Sequence, residues 1–130
     1  MKEIRALLVD DDLDFQHVTQ YKLMNHDVSV LVASSTAQAD AILEQSKVDV
    51  IICDVLMTGE NGLSFCKLLR NSGNQTPLIF LSSLNDKKTI RLGYEAGGNV
   101  FITKPFNNED LRALILEVVQ SVLAIKSSVK

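Results

Sequence analysis

The chain has 130 residues and a formal net charge of −3, a size that suits one domain built around a single hydrophobic core. This acidic balance argues against direct nucleic-acid binding, and no apolar run approaches the roughly 18 residues that span a bilayer. Cys53 and Cys66 lack the spacing of a metal site and fit small buried residues in a reducing compartment. Because the N-terminus does not read as a signal peptide either, we expect a cytoplasmic protein with no membrane attachment.

Five apolar runs have the length and composition of β-strands, and a helical pattern follows each of them. The predicted strands are Ile4–Val9, Val28–Ala33, Val50–Asp54, 78–81 and Val100–Thr103. The predicted helices span about 14–25, 36–45, the segment around 65–69, 86–96 and 108–125, and residues 58–62 are predicted to form the loop before the third helix. The expected helix caps are Asp12 or Asp14, the 34–36 cluster, Asn85 or Asp86, and Asn107 or Asn108.

The alternation of strands and helices predicts the fold class. Strands separated by helices of this size form a parallel sheet that is covered by helices on both faces. Right-handed crossovers leave few topologies, and we predict an α/β, flavodoxin-like (βα)5 doubly wound sheet with strand order 2-1-3-4-5. The apolar stripe of the last helix is Leu111, Leu114, Ile115, Val118, Val119 and Val122. Residues 1–126 are assigned to the domain, and 127–130 to a C-terminal tail.

Polar residues stand at the carboxyl ends of four predicted strands: Asp10 and Asp11, Asp54, Ser82 and Lys104. In the 2-1-3-4-5 order the first and third strands are neighbours at the switch point, so their carboxylates should converge there. Crowded carboxylates repel one another unless a cation lies between them. An oxygen-only set of this kind suits Mg²⁺.

The same set fits phosphoryl transfer. Asp54 can act as a nucleophile that forms an aspartyl phosphate, while Lys104 and the metal would neutralise charge on the transferring group. Ser82 can donate a hydrogen bond to a phosphoryl oxygen. Taken singly, each residue has a simpler interpretation: Asp54 as a turn cap, Ser82 as an ordinary strand-end hydroxyl, and Lys104 as a solvated lysine. Their common position at strand ends favours a site.

With these residues in place, the chain resembles the receiver domain of two-component response regulators (the CheY-like family) over about residues 3–125. The matching segments are 7–12 (LLVDDD), 52–57 (ICDVLM) with Gly62, 81–83 (LSS), 95–98 (EAGG) and 104–106 (KPF). Their order and spacing match as well. The resemblance implies a phosphorylation-dependent signalling switch and not a turnover enzyme, because the domain catalyses only its own phosphorylation and dephosphorylation.

By this resemblance, Asp54 is the phosphoacceptor and receives its phosphoryl group from a histidine kinase or phosphotransfer protein. Asp11 and Asp54 should bind Mg²⁺ directly, Asp10 through water, and the backbone carbonyl of Leu56 completes the protein ligands. Lys104 should contact the phosphate and is expected to precede a cis peptide bond.

The resemblance also implies a switch. The Ser82 hydroxyl should move to the phosphoryl oxygen on activation, coupled to burial of the aromatic residue at position 101. Two departures stand out. Thr58 occupies a position that is usually proline, which leaves the loop less constrained, and Phe101 lacks the hydroxyl of the more usual tyrosine.

The family's usual output surface is formed by the fourth helix, fifth strand and fifth helix, and it would control a partner, a homodimer or an effector domain beyond the tail. Leu116, Leu123 and Ile125 lie off the core stripe and are either part of such a face or scattered surface residues. His17 and His26 are expected on the surface. Leu56 and Leu84 offer no hydrogen bond to an attacking water, so we expect slow dephosphorylation.

Three other functions are considered. A phosphohydrolase with an Asp nucleophile would need an acid two residues later, where Leu56 has no proton to give. A nucleotide- or flavin-binding domain would need a glycine-rich first turn, but Asp10, Asp11 and Asp12 would repel phosphate. A degenerate receiver used only for docking is disfavoured because all five site residues are present.

Overall fold

Five parallel strands form the central sheet of the molecule. The computed structural model describes residues 3–24 and 27–128, with side chains as far as Val122. The strands are β1 (Ile4–Val9), β2 (Val28–Ala33), β3 (Val50–Asp54), β4 (Leu78–Ser82) and β5 (Val100–Thr103). They lie in the order β2–β1–β3–β4–β5, so the predicted fold class and strand order are confirmed.

A helix follows each strand. The helices are α1 (Leu13–Leu23), α2 (Thr36–Gln45), α3 (Gly62–Asn71), α4 (Lys87–Glu95) and α5 (Asn108–Ser128). The side chains of Asp12, Ser35 and Asp86 accept backbone N–H groups at the starts of α1, α2 and α4, which satisfies donors that a helix terminus leaves unpaired.

Two helix ends differ from the prediction. Helix α1 ends at Leu23 and not at residue 25, because Met24 already has an extended backbone. Helix α5 continues to Ser128, so it crosses the predicted boundary at residue 126 without a break. The boundary itself stays a prediction. His26 lies outside the described residues, as do the side chains of Leu123 and Ile125.

Each face of the sheet buries its own apolar cluster. Along β1, Leu7 and Val9 face one cluster while Ala6 and Leu8 face the other, as the two-residue period of a strand requires. The first cluster includes Phe65, Cys66 and Leu69 of α3, and the second includes Leu23 of α1 with Leu111, Ile115, Val118 and Val119 of α5. Strand β3 is buried along its whole length, which explains its continuous apolar run.

The predicted environments of several side chains are also confirmed. Cys53 and Cys66 are free and buried, and His17 is exposed. On α5, Leu114 and Val122 are only partly buried, whereas the other four stripe residues are buried. Within residues 3–24 and 27–128, none of the helices combines the length and the apolar sequence needed to cross a membrane.

The segment after β3 is more ordered than predicted. Residues 58–62 were expected to form a loop, but Leu56–Met57 pairs antiparallel with Glu60–Asn61 in a short ribbon, and α3 starts at Gly62. Gly59 turns the ribbon with φ 72°. A Cβ at Gly62 would lie 2.1 Å from the backbone oxygen of Asp54, so the start of α3 can approach the end of β3 only with a glycine there.

Candidate functional site

The amine of Lys104 lies between two carboxylates at the carboxyl edge of the sheet. Its Nζ is 2.9 Å from Oδ2 of Asp10 and 3.0 Å from Oδ2 of Asp54. Asp10 follows β1, Asp54 ends β3 and Lys104 follows β5, so three strands contribute one charge each. Asp10 and Asp54, two of the three carboxylates that were predicted to converge, therefore face the same cation.

Burial decides the electrostatics of this group. Asp10 is fully buried and Asp54 is 9% exposed. Burial raises the pKa of Asp54, and the neighbouring Asp10 adds to that rise, while Lys104 opposes it. Burial also works against the charge on Lys104, but its contacts with Asp10 and Asp54 raise its pKa overall. The site therefore holds more negative charge than its own cation neutralises, and a further cation would be favourable there.

Two aromatic rings hold the lysine in place. The Nζ of Lys104 lies 4.1 Å from the centroid of the Phe15 ring, a cation–π contact. Phe106 packs edge-on against Phe15 at 5.9 Å between centroids. The backbone N–H of Lys104 donates to the carbonyl oxygen of Ser82 at 2.8 Å, and the Lys104–Pro105 peptide bond is cis, as the resemblance implied.

Ser82 lies one strand further along the same edge. Asp54 pairs with Leu81 in the register of β3 and β4, so Ser82 is one residue beyond the acid's partner. Its side chain is buried, and Oγ accepts the backbone N–H of Leu84 at 2.9 Å. This bond uses a lone pair of the hydroxyl oxygen, so the O–H of Ser82 remains able to donate to another group.

Asp11 does not join the Lys104 group. Its Oδ2 accepts the backbone N–H of Thr58 at 2.6 Å, which ties the turn after β1 to the ribbon after β3. The Thr58 backbone N–H, and then its hydroxyl, lower the pKa of Asp11. Leu56 is next to the acids as well, because its N–H is 3.4 Å from Oδ1 of Asp54.

The residues present fit a Mg²⁺ ion. Asp10, Asp11 and Asp54 offer only oxygen donors, and Mg²⁺ usually binds one or two carboxylates and keeps several waters. Over the part of the chain that the structure describes, no three His, Cys, Asp or Glu side chains are grouped as a ready metal cage. That arrangement is compatible with a metal bound mainly by water, two carboxylates and a backbone carbonyl.

Phe101 lies away from the charges. Its ring packs against Phe80 with 6.2 Å between centroids, and a Cβ at Gly93 of α4 would lie 3.1 Å from it. The ring is half-buried. It therefore bridges the sheet and α4, which is the location that a switch residue would need, although its role stays a prediction.

Three side chains near the site were missed from the sequence. Phe15 and Phe106 support the amine, and the buried Gln16 donates through Nε2 to the carbonyl oxygen of Asp10 at 3.2 Å. The spacing of α1 could have shown that positions 15 and 16 face the strand ends. No pattern in the sequence indicated that Thr58 would contact Asp11, because the two residues are 47 positions apart.

Comparisons with known proteins agree with this architecture. The family model of the response regulator receiver domain matches residues 6–116. The transcriptional regulatory protein CpxR of Klebsiella pneumoniae is 36% identical over 116 residues, which cover 89% of this chain and 49% of CpxR. The chain thus spans about half the length of this curated relative.

Two solved structures share the fold. The receiver domain of the Francisella response regulator 1452 superposes with a TM-score of 0.87 at 26% identity, covering 92% of this chain and 99% of that one. The chemotaxis response regulator CheY4 of Vibrio cholerae gives a TM-score of 0.82 at 27% identity, with 90% and 99% covered. Family model, curated relative and fold agree along nearly the whole chain, which belongs to the response regulator receiver domains of two-component systems.

Proposed function

We propose that this domain is a phosphorylation-dependent switch in which Asp54 accepts a phosphoryl group from a histidine kinase or phosphotransfer protein. The observation that carries the proposal is the Lys104 amine, held within 3.0 Å of both Asp10 and Asp54 at the edge where the strands end. A buried carboxylate beside a fixed cation is a nucleophile next to a group that can neutralise a phosphoryl oxygen.

The transfer uses the side chains that meet at this edge of the sheet. A carboxylate oxygen of Asp54 attacks phosphorus, the P–O bond forms, and the P–N bond to the donor histidine breaks. The histidine nitrogen keeps the bonding electrons and takes up a proton from solvent. Lys104 then turns from the carboxylate to a phosphoryl oxygen. The Ser82 hydroxyl accepts the Leu84 N–H through a lone pair, so its O–H can donate to another phosphoryl oxygen.

Mg²⁺ is the cofactor that fits the site. Asp11 and Asp54 would hold it directly and Asp10 through water, and the backbone carbonyl of Leu56 would add a ligand. When bound, the ion neutralises charge on the transferring phosphoryl group. The raised pKa of Asp54, caused first by burial and then by Asp10, supports this role because added positive charge favours the ionised nucleophile.

The surroundings of the site favour a protein as the phosphoryl donor. Leu13, Leu56 and Leu84 each follow a strand end and are 53%, 54% and 40% exposed. Apolar side chains around a charged centre can dock a partner while the charges carry out the chemistry. The same Leu56 and Leu84 give a hydrolytic water no hydrogen-bond partner, so we expect the phosphorylated state to decay slowly.

Output is proposed to pass through α4, β5 and α5. Ser82 and Thr103 pair at the ends of β4 and β5, and Phe101 lies on β5 against α4, so movement of the hydroxyl and of the ring would change this face. The face would control a partner, a homodimer or a separate effector domain. That the curated relative CpxR is named a transcriptional regulatory protein and is about twice as long favours an effector domain outside this segment.

Labelling with a small phosphodonor tests the proposal. The purified protein is incubated with acetyl phosphate and Mg²⁺, and its intact mass is recorded against Asp54→Asn and against a chelator-treated sample. We expect one phosphoryl group on the wild type and none in either control. Persistent labelling of Asp54→Asn would reject Asp54 as the acceptor.

Two further readouts of the same experiment separate the alternatives. Multiple turnover of the donor with no accumulated phosphoprotein would favour a phosphohydrolase, and no labelling at all would favour a degenerate docking domain. After removal of the donor, phosphoryl loss within seconds would contradict the slow decay expected from Leu56 and Leu84.

A further inference from the structure

The amine of Lys104 has a neighbour that carries no charge. An ammonium group has three N–H donors, and those of Lys104 reach Oδ2 of Asp10 and Oδ2 of Asp54. The Nζ atom also lies over the ring of Phe15, 4.1 Å from its centroid. Because 21% of the lysine side chain is exposed, the amine is kept at the sheet edge by these contacts and not by enclosure.

Hydrogen bonds tie this ring to one of the acids. The backbone N–H of Phe15 donates to Oδ1 of Asp12 at 3.1 Å, and the backbone N–H of Asp12 donates to Oδ1 of Asp10 at 3.0 Å. Asp10 therefore binds the lysine with one oxygen and the start of α1 with the other. The ring and the acid that contact the same amine belong to one hydrogen-bonded unit.

A second ring keeps Phe15 in its orientation. Phe106 packs against it with an interplanar angle of 85°, an arrangement that aromatic pairs prefer. Both rings are partly buried against the apolar cluster that contains Leu111 and Ile115 of α5. Phe15 is thus fixed from α1 and from the segment that follows Lys104, as a group that orients a functional side chain needs to be.

The ring differs from the acids in the partners it can take. Its face attracts a cation through the ring quadrupole, but it adds no net charge and gives Mg²⁺ no oxygen ligand. Under the proposed function the ion binds Asp54 directly and Asp10 through water, so both acids are then shared between two cations that repel each other. The attraction of Phe15 for the amine is not shared with the ion in this way.

We propose that Phe15 is a positioning residue for Lys104, whose amine its ring face keeps at the carboxyl edge while Mg²⁺ and the phosphoryl group engage the acids. The inference rests on the proposed function and adds to it a residue that touches neither the metal nor the phosphoryl group. Lys104 remains the group that neutralises a phosphoryl oxygen. The ring determines how much of the time its amine faces the site and not the solvent.

Ring fluorination weakens the attraction and nearly preserves the shape of the side chain. Phe15 is replaced by 4-fluorophenylalanine and by 3,4,5-trifluorophenylalanine, in which fluorine withdraws electron density from the ring face, and then by leucine, which has no such face. We expect the rate of labelling by acetyl phosphate and Mg²⁺ to fall in that order. In Phe15→Leu it should be about 2- to 5-fold below the wild type, the factor that the usual strength of a partly exposed cation–π contact implies.

The same fluorinated residues at position 65 are the matched control. Phe65 is buried in the apolar cluster on the other face of the sheet, so fluorine there should leave the labelling rate unchanged. Urea unfolding of each protein gives the folded fraction by which its rate is normalised, so that a loss of stability is not mistaken for a loss of positioning.

Mg²⁺ affinity, measured by titration calorimetry, separates positioning from damage to the site. We expect Phe15→Leu to bind Mg²⁺ as tightly as the wild type or more tightly, because an amine released from the ring repels the ion less. A deformed site would instead lose affinity and labelling rate together.

The reactivity of the amine tests the contact without metal or phosphodonor. The metal-free proteins are treated briefly with N-hydroxysuccinimidyl acetate, and acetylation of each lysine is followed by peptide mass spectrometry. Lys104 should react about 2- to 5-fold faster in Phe15→Leu than in the wild type, because its amine is more often free of partners. Lys88 on the exposed side of α4 is the internal reference and should react equally in both.

The opposite results would overturn the inference. Equal labelling rates in the wild type and the fluorinated series would reject the ring as a positioning group, and so would weaker Mg²⁺ binding by Phe15→Leu or unchanged reactivity of Lys104. These results would leave the proposed function intact. No labelling of the wild type would instead reject the proposed function, and the acetylation of the metal-free proteins would still decide whether the ring holds the amine.

Discussion

Two cations hold opposite edges of the same sheet. Lys104 lies at the carboxyl edge between Asp10 and Asp54, whereas Arg70 of α3 lies at the amino edge, beside the loops that enter β4 and β5. The partners of Arg70 are the carbonyl oxygens of Asn74, Thr76 and Gly97 and Oδ1 of Asn99, at 2.7 to 3.1 Å. Both side chains join distant segments, but they join different kinds of acceptor.

The difference lies in what the acceptors can do. Main-chain carbonyls and an amide oxygen carry no net charge and do not titrate, so the bonds of Arg70 persist under all conditions in which the fold persists. The acceptors of Lys104 are buried carboxylates that repel each other and that, under the proposed function, bind Mg²⁺ and attack phosphorus. At the amino edge, Arg70 therefore serves to stabilise the fold. At the carboxyl edge, Lys104 belongs to a group of charged side chains that can change their bonding partners.

Replacement of Arg70 should give the largest loss of stability. Arg70→Met removes hydrogen bonds that come from a charged donor and leaves carbonyl oxygens in two loops unsatisfied, for an expected loss of about 2–4 kcal/mol in the free energy of unfolding. Urea denaturation followed by circular dichroism measures it. The folded fraction should still accept a phosphoryl group on Asp54.

Arg70→Lys is the matched control, because it keeps the charge. Arg70 donates through three different nitrogens, and a lysine has only one, so Arg70→Lys should lose nearly as much stability as Arg70→Met. Near wild-type stability of the lysine variant would show that charge matters at this edge more than geometry, and it would weaken the contrast with Lys104.

Replacement of Lys104 should have a smaller effect on stability that depends on pH. Lys104→Met leaves Asp10 and Asp54 without their cation, at an expected loss of about 1–3 kcal/mol at pH 7 for this partly exposed group. Without the amine, the pKa of Asp54 rises further above its value in the unfolded chain. The penalty is therefore full at neutral pH and should shrink as the pH falls through the folded pKa of Asp54 toward the unfolded value of about 3.9, because a protonated Asp54 needs no cation.

The wild type shows the complementary trend in alkali. Because the contacts with Asp10 and Asp54 raise the pKa of Lys104, its stabilising effect is complete below the unfolded pKa of about 10.4 and is lost as the pH rises through the folded value.

Chemical denaturation from pH 4 to pH 8 measures how the stability penalty of Lys104→Met depends on pH. A penalty that does not change with pH would mean that packing against Phe15, and not charge, gives Lys104 its effect.

Asp54→Asn should stabilise the protein, with the smallest change of the three. Burial and then Asp10 hold the pKa of Asp54 above its unfolded value, so the ionised carboxylate costs stability once the pH exceeds the folded pKa. The neutral amide removes that cost, and we expect a gain of about 1 kcal/mol at pH 7 that disappears near pH 4.

Thermal or urea unfolding at both pH values checks this gain. Glu117→Gln on the exposed face of α5 removes the same charge and should leave stability nearly unchanged, which controls for net charge. If the Asp54→Asn variant is less stable than the wild type, the favourable contact of the carboxylate with Lys104 outweighs the cost of burying its charge.

The sequence predicted the sheet because its strands are continuous apolar runs that end in charged or polar residues. Asp10, Asp54 and Lys104 could be placed together because strand order brings the ends of β1, β3 and β5 to one edge. The short ribbon could not be predicted, since two-residue strands such as Leu56–Met57 carry no periodicity. Individual contacts were also beyond the sequence, because a pattern gives the position of Asp11 but not which oxygen meets which donor.

The carboxyl edge brings together residues that are distant in the chain. Asp10 and Lys104 are 94 positions apart, and the site lacks its amine until the fifth strand has joined the sheet. A chain still emerging from the ribosome therefore carries the acids long before it carries their cation. Under the proposed function, competence to be phosphorylated arises only when folding is complete, so that unfinished chains do not withdraw phosphoryl groups from the kinase.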